Sequence, residues 1–196
     1  KGVTARARPV RLLYGVTEHP AIMETAESLR TQGWGVEPVA VDRNGVLCWE
    51  EFARQLQGAP VKLVALMRAN NETGVIQDVA RAATMIHAAG AWLHVDAVQA
   101  LGIIDVNIKE LGADLLSVSA HQIGGPTGIG ALILPANLNG PPALIRGGGQ
   151  ERGRRAGTEN VPAIAGFGAA VRAAMATREG DMARVESLRN RLEQGL

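Results

Sequence analysis

Polar residues able to move protons or hold anions recur in this sequence directly behind short apolar runs. RLLYGV is followed by TEHP with His19, and VKLVALM by ANNETG with Asn70 and Asn71. WLHVDAV leads through HVDAVQ, which places Asp96 and Gln99, and LLSVSAH leads into SAHQ, with Ser119, His121 and Gln122. An imidazole ordinarily titrates near neutrality, a carboxylate holds a cation, and amides and hydroxyls donate to anionic oxygens. Four such clusters on one rim would exceed anything that solubility requires.

The elements that must position them are legible from periodicity. Strand-length apolar runs fall at 11–16, 35–42, 61–67, 92–98, 115–121 and 129–134. Helical patterns lie between most of them. PAIMETAESLRTQ opens with Pro20 at a first helical position, while WEEFARQLQ and DVARAATMIHAAG carry early acids and apolar residues three and four apart, the latter ending at Gly90. From residue 161 to 196 the pattern is helical, with a break expected at Gly180. The alternation predicts an α/β fold with a mainly parallel, doubly covered sheet. In such sheets ligands bind outside the carboxyl ends of the strands, which is where the polar clusters fall.

The residue types match the needs of a pyridoxal phosphate (PLP) site: a carboxylate for the ring nitrogen, a donor for the phenolic oxygen, a ring-stacking group, anion ligands and an amine. Asp96 suits the first role and equally suits a turn cap at a strand end. Asn71 and Gln99 are neutral donors, although an Asn in NNETG also forms turns. Ser119 and His121 can donate to a phosphate, and on their own read equally well as satisfied groups at a strand end. His19 can stack and shuttle protons. His87 reads as a surface residue, and His94, alternating with Asp96, as core or supporting shell.

Composition narrows the partners. Of 196 residues, 46% are apolar, enough for a sizeable core, and the net charge of +1 provides no field for a nucleic acid backbone. The basic run GGGQERGRR, with Arg146, Arg152, Arg154 and Arg155, reads either as a solvated loop or as a phosphate-binding one. No apolar run reaches the ~20 residues of a membrane span, KGVTARARPV lacks a signal-like continuation, and no metal site is expected. The single cysteine, Cys48, excludes an internal disulfide framework and fits a reducing compartment, so a cytoplasmic protein is expected. A dinucleotide-binding fold is disfavoured because no G-x-G-x-x-G follows the first strand.

Taken together, TEHPAI, MRANNETGVIQD, HVDAVQALG, SVSAHQIGGPTGIGAL and GGGQERGRRAGTENV resemble the class V, fold type I PLP enzymes, specifically the NifS-like cysteine desulfurases. The resemblance runs from about residue 10 to 170. It implies PLP-dependent removal of sulfur from L-cysteine, leaving alanine and an enzyme persulfide for iron-sulfur cluster or thio-cofactor assembly, with a sulfur-acceptor or scaffold protein as partner. It also implies His19 as the ring-stacking acid/base, Asn71 and Gln99 at the phenolic oxygen, Asp96 at the ring nitrogen, and Ser119 with His121 in the phosphate cup. Thr158, in RRAGT, matches a threonine that reaches the phosphate of a neighbouring subunit, which implies a homodimer.

One position departs from that pattern. Family members have His-Lys where this chain has His121-Gln122. The lysine forms a Schiff base and moves a proton, both of which need a basic lone pair, and an amide has none. The three lysines, Lys1, Lys62 and Lys109, lie at the chain start, a strand start and a helix-like segment, so none is an obvious substitute. Cys48, in GVLCWEEF, reads as a small semi-buried hydrophobe rather than a persulfide carrier. The chain is thus expected to be a PLP-binding large domain over 1–196, truncated at both ends, with 161–196 leading toward a small C-terminal domain. Its form with Gln122 is expected to be inactive. A non-catalytic PLP-fold module acting in binding or dimerisation is the alternative, and a selenocysteine lyase-like enzyme is a second.

Overall fold

The computed structural model describes residues 10–136, 138 and 140–196. Lys1 and the other residues before Val10 lie outside that description, as do Asn137 and Asn139. The chain divides into two compact units, one running up to Gln99 and taking in Asn107–Ser117, the other made of Ala100–Val106 and Val118–Leu196.

The first unit is built on parallel strands β1 (Arg11–Gly15), β2 (Gly35–Val39), β3 (Val61–Met67) and β4 (Trp92–Asp96), with the first three residues of β5 (Leu115–Ser119). Their order is β2-β1-β3-β4-β5. β1 is buried at all five positions, and Val64 to Met67 of β3 are buried in succession, as strands covered on both faces require. Between the strands run α1 (Pro20–Ser28), α2 (Trp49–Leu56) and α3 (Val79–Ala88). The Asp78 carboxylate caps α3 by accepting from the Arg81 amide at 3.1 Å, and the helix buries Val79, Ala82, Ala83 and Ile86, the spacing of one helical face. α2 is anchored by Phe52, which is fully buried, with Glu50 and Glu51 in its first turn. Gly112, at φ 65, leaves only 2.7 Å between the position of an added Cβ and Ala83 Cβ, so a side chain there would collide with α3.

The second unit holds the last two residues of β5, β6 (Gly130–Ile133) and α4 (Val161–Gln194). A Cβ on Gly130 would lie 2.7 Å from the Val118 carbonyl oxygen, which is why the strands can approach there. Asn160 caps α4 through the Ala163 amide, and Arg178 pairs with Asp105 at 2.6 Å. The break expected at Gly180 does not occur: α4 runs through it unbroken, 34 residues long from Val161 to Gln194. A mid-helix glycine costs about 1 kcal/mol, a penalty that good helix formers on both sides offset. Arg189, within 3.5 Å of Glu186 and 3.7 Å of Glu193, adds support.

β3 fills its apolar run from Val61 to Met67, whereas the other strands are shorter than theirs. β4 ends at Asp96 and β5 at Ser119, and His121 to Ile123 form a 3₁₀ turn. Among the described residues no helix is long and apolar enough to cross a membrane.

Candidate active site

Parallel pairing aligns strand ends, and in the first unit it levels three of them. Tyr14 is registered with Ala65, Met67 with Asp96, and the Arg68 amide donates to the Asp96 carbonyl at 2.8 Å. The segments leaving these ends carry His19, Asn71, Asp96 and Gln99.

His19 caps α1: its Nδ1 accepts from the Ala21 amide at 3.1 Å, and Pro20 follows at the first helical position. That bond fixes the ring's tautomer, leaving Nε2 of the exposed ring as the nitrogen available to a ligand. Asp96 is half-buried. Its Oδ1 accepts from the Val98 amide at 2.9 Å, and its other oxygen has no hydrogen-bond partner among the described residues. His94 lies two residues earlier on the same face of β4, its Nε2 2.7 Å from Ser117 Oγ. Burial pulls the His94 imidazole below its ordinary value, against the opposing pull of the Asp96 charge. Burial thus favours the neutral imidazole, held by Ser117 beside Asp96 on β4. The Gln99 amide is half-buried and makes no hydrogen bond among the described residues.

In the ANNETG turn the two asparagines divide the work. Asn70 is buried: its amide donates to the Thr17 carbonyl at 2.9 Å, and its oxygen accepts from Glu72 N, Thr73 N and Thr73 Oγ1 at 2.8–3.0 Å. Asn70 therefore stitches its own turn to the loop that bears His19. Asn71 is exposed, donating only to Glu72 Oε1 at 2.7 Å, and its amide can be drawn to a ligand.

One functional candidate escapes sequence reasoning. Glu18 is 4% exposed, and its Oε1 accepts from the Met67 amide at 2.6 Å while Oε2 is buried without a partner. Burial, reinforced by the Asp96 charge and opposed by the Met67 hydrogen bond, pushes its carboxyl up to about 8. In TEHP it reads as one more polar residue behind a strand; only the sheet ends around it reveal its burial.

The second unit holds the remaining candidates. Ser119 Oγ lies 2.8 Å from His121 Nδ1, and Gln122 Nε2 lies 3.1 Å from His121 Nε2. An amide nitrogen only donates, so Nε2 accepts and the ring proton sits on Nδ1, directed at Ser119 Oγ. The serine hydroxyl hydrogen is then free to point at an anion. The 3₁₀ turn closes at Gly124, whose φ of 74 places it in the left-handed region. In the basic loop, Arg146, Arg152 and Arg154 are exposed, while Arg155 turns inward to donate to the Gly157 carbonyl at 2.8 Å. Thr158 follows, exposed.

The two described lysines both belong to the first unit. Lys62 sits at the amino end of β3, five residues or roughly 16 Å along the strand from Met67, over the Trp92 ring at 5.2 Å. Lys109 is exposed in the segment between β4 and β5. Cys48 is half-buried at the amino end of α2, as the small-hydrophobe reading has it, and His87 is a surface residue within 3.0 Å of Asp114.

The first unit's donor set fits the ring of PLP: an anchored carboxylate with one oxygen unpartnered, an amide with no partner among the described residues, and a capped imidazole with a ligand-facing nitrogen. The family model "Aminotransferase class-V" matches residues 8–196. A cysteine desulfurase of Gluconacetobacter diazotrophicus is 44% identical over 186 residues, covering 94% of this chain and 46% of its own. One from Sinorhizobium fredii is 42% identical over 198 residues, covering 100% of this chain and 50% of its own. Among solved structures, a NifS-like protein superposes at TM-score 0.91 with 36% identity, over 97% of this chain and 52% of the other. A protein described as SspA in complex with cysteine superposes at 0.79 with 29% identity, over 85% and 48%. The chain thus spans about half the length of the curated relatives it matches.

Proposed function

We propose that this chain, which belongs to the aminotransferase class-V family of PLP-dependent enzymes, is the cofactor-binding part of a cysteine desulfurase. Bound there, PLP would supply an electron sink for the carbon skeleton of the substrate. In the overall reaction the Cβ–S bond of L-cysteine breaks and the sulfur passes to a thiol, giving alanine and a persulfide with no external oxidant. The observation that carries this reading is Asp96: an anchored carboxylate at a strand end, backed by a neutral imidazole, with one oxygen left for a cationic ring nitrogen.

The chain's own residues divide the remaining tasks. His19 stacks on the ring and presents Nε2 as acid or base. Asn71 and Gln99 donate to the phenolic oxygen, and Ser119 with His121 holds the phosphate. Thr158 serves the phosphate of a second copy, so the protein acts as a homodimer and hands its sulfur to an acceptor or scaffold protein.

Gln122 favours a second reading for the chain in this form, a PLP-fold module that binds without turnover, because an amide cannot form the covalent link. Gln122→Lys in the protein decides between them. The desulfurase reading expects a borohydride-reducible link between PLP and residue 122 and a new visible absorption band. A protein that binds PLP but gains neither would refute the enzyme reading and leave the binding module.

A further inference from the structure

Glu18 has no part in the roles above, yet its surroundings are shaped around it. The loop from β1 to α1 is held at its base by Val16 N to Val39 O at 3.0 Å and Glu18 N to Gly15 O at 2.9 Å. Further along, two bonds reach across to the end of β3 and the turn beyond it: Asn70 Nδ2 to the Thr17 carbonyl, and the Met67 amide to Glu18 Oε1. The second is made by a side chain immediately before His19. Its acceptor is Oε1 of a carboxyl buried to 4% exposure, and its donor belongs to the residue registered against Asp96 on the neighbouring strand. Space for that carboxyl exists because residue 15 is glycine: an added Cβ would lie 2.7 Å from Oε1. The covalent and hydrogen-bonded path from His19 to Asp96 therefore runs through one side chain and one pair of registered residues.

We propose that Glu18 is a positioning residue, a buried hook that fastens the His19 loop to the end of β3 and so sets the separation of His19 from Asp96. The purpose of that spacing, holding one ring between the two, rests on the PLP reading; the hook itself does not. Asp96 is the charged group whose field reaches the Glu18 carboxyl, and around Gly15 the other neighbour of an added side chain is the apolar Leu66.

The test measures hydrogen exchange at the Met67 amide and binding of PLP itself, in the protein and in Glu18→Ala, Glu18→Gln, Gly15→Ala, His19→Ala and the Glu18→Ala/His19→Ala double variant. Losing one hydrogen bond to a buried carboxyl should speed Met67 exchange about tenfold or more in Glu18→Ala, and likewise in Gly15→Ala, whose methyl displaces the carboxyl. Gln, which keeps an acceptor oxygen, should restore protection. PLP should bind about tenfold more weakly to Glu18→Ala, and the double variant should bind no more weakly than His19→Ala, because Glu18 acts through His19. Additive losses would overturn the positioning role in favour of plain structural support. Unchanged Met67 exchange in both Glu18→Ala and Gly15→Ala would overturn the hook whatever PLP does. If Glu18→Ala does not fold, Gly15→Ala, which retains the carboxyl, decides the exchange. Failure of the unaltered protein to bind PLP would refute the proposed function, with the hook still judged by exchange.

Discussion

Replacing Glu18 with Gln should change how stability depends on pH more than it changes stability itself. Burial first, with the Asp96 charge adding to it and the Met67 hydrogen bond opposing it, pushes this carboxyl from an ordinary 4.5 to about 8. A group whose folded pKa is raised contributes fully below its unfolded value and loses that contribution as pH climbs through the folded one. The protein should thus weaken between pH 4.5 and 8 at about 1.4 kcal/mol per pH unit, roughly 5 kcal/mol in all, and then level off. His94 works in the opposite sense. Its imidazole is held below 6.5, so its contribution is present above 6.5 and is lost as pH falls below it. The window from 6.5 to 8 therefore isolates Glu18 and amounts to about 2 kcal/mol. Tyr14 is raised from 10.0 and titrates outside that window. In Glu18→Gln an amide nitrogen replaces the unpartnered Oε2, a pH-independent penalty of about 1–3 kcal/mol, and the decline that Glu18 causes from pH 6.5 to 8 is gone. Urea unfolding of the cofactor-free protein at half-unit steps of pH would measure both. A loss of stability from pH 6.5 to 8 that is equal in the two proteins would show that Glu18 does not titrate as its burial requires, and a flat wild-type profile would show the same.

Other perturbations test the site and its scaffold. Asp96→Asn keeps the acceptor for Val98 but loses the charge, so PLP titration should show binding weakened roughly 10- to 100-fold, the worth of a charge-assisted hydrogen bond. Arg11 is 7% exposed and donates to both Glu37 oxygens and to the Gln55 and Ala59 carbonyls at 2.6–2.8 Å, so Arg11→Met should cost about 2–4 kcal/mol by urea midpoint. Phe52→Ala removes the one buried side chain of α2, and thermal unfolding should report a loss of about 3–5 kcal/mol.

β1 and β3 were legible because a strand covered on both faces needs an apolar run, and each of the six runs contains a strand, including β6, whose four residues are exposed. What blurred was where runs end. His121 belongs to a 3₁₀ turn rather than β5, since hydrophobicity marks burial and says nothing about where pairing stops. Gly180 misled because a glycine punctuates a helix only when the segments beyond it have somewhere else to go; α4 has good helix formers on both sides. His94 and Asp96 were correctly placed on one face by period-two alternation alone.

By itself the sequence determined the order of strands and helices, the family resemblance, and the residue types that stand behind each strand: His19, Asn71, Asp96, Gln99, Ser119, His121 and Gln122. Local spacing and side-chain chemistry suffice for that. Only the tertiary structure decided which of those groups are already engaged and which stay free, and that Asn70 rather than Asn71 is the buried stitch. It alone decided, too, that an acid beside His19 is buried against the amide of Met67. A hydrogen bond between a loop carboxyl and a strand-end amide 49 positions apart in sequence arises when parallel strands come into register, and no local pattern encodes that.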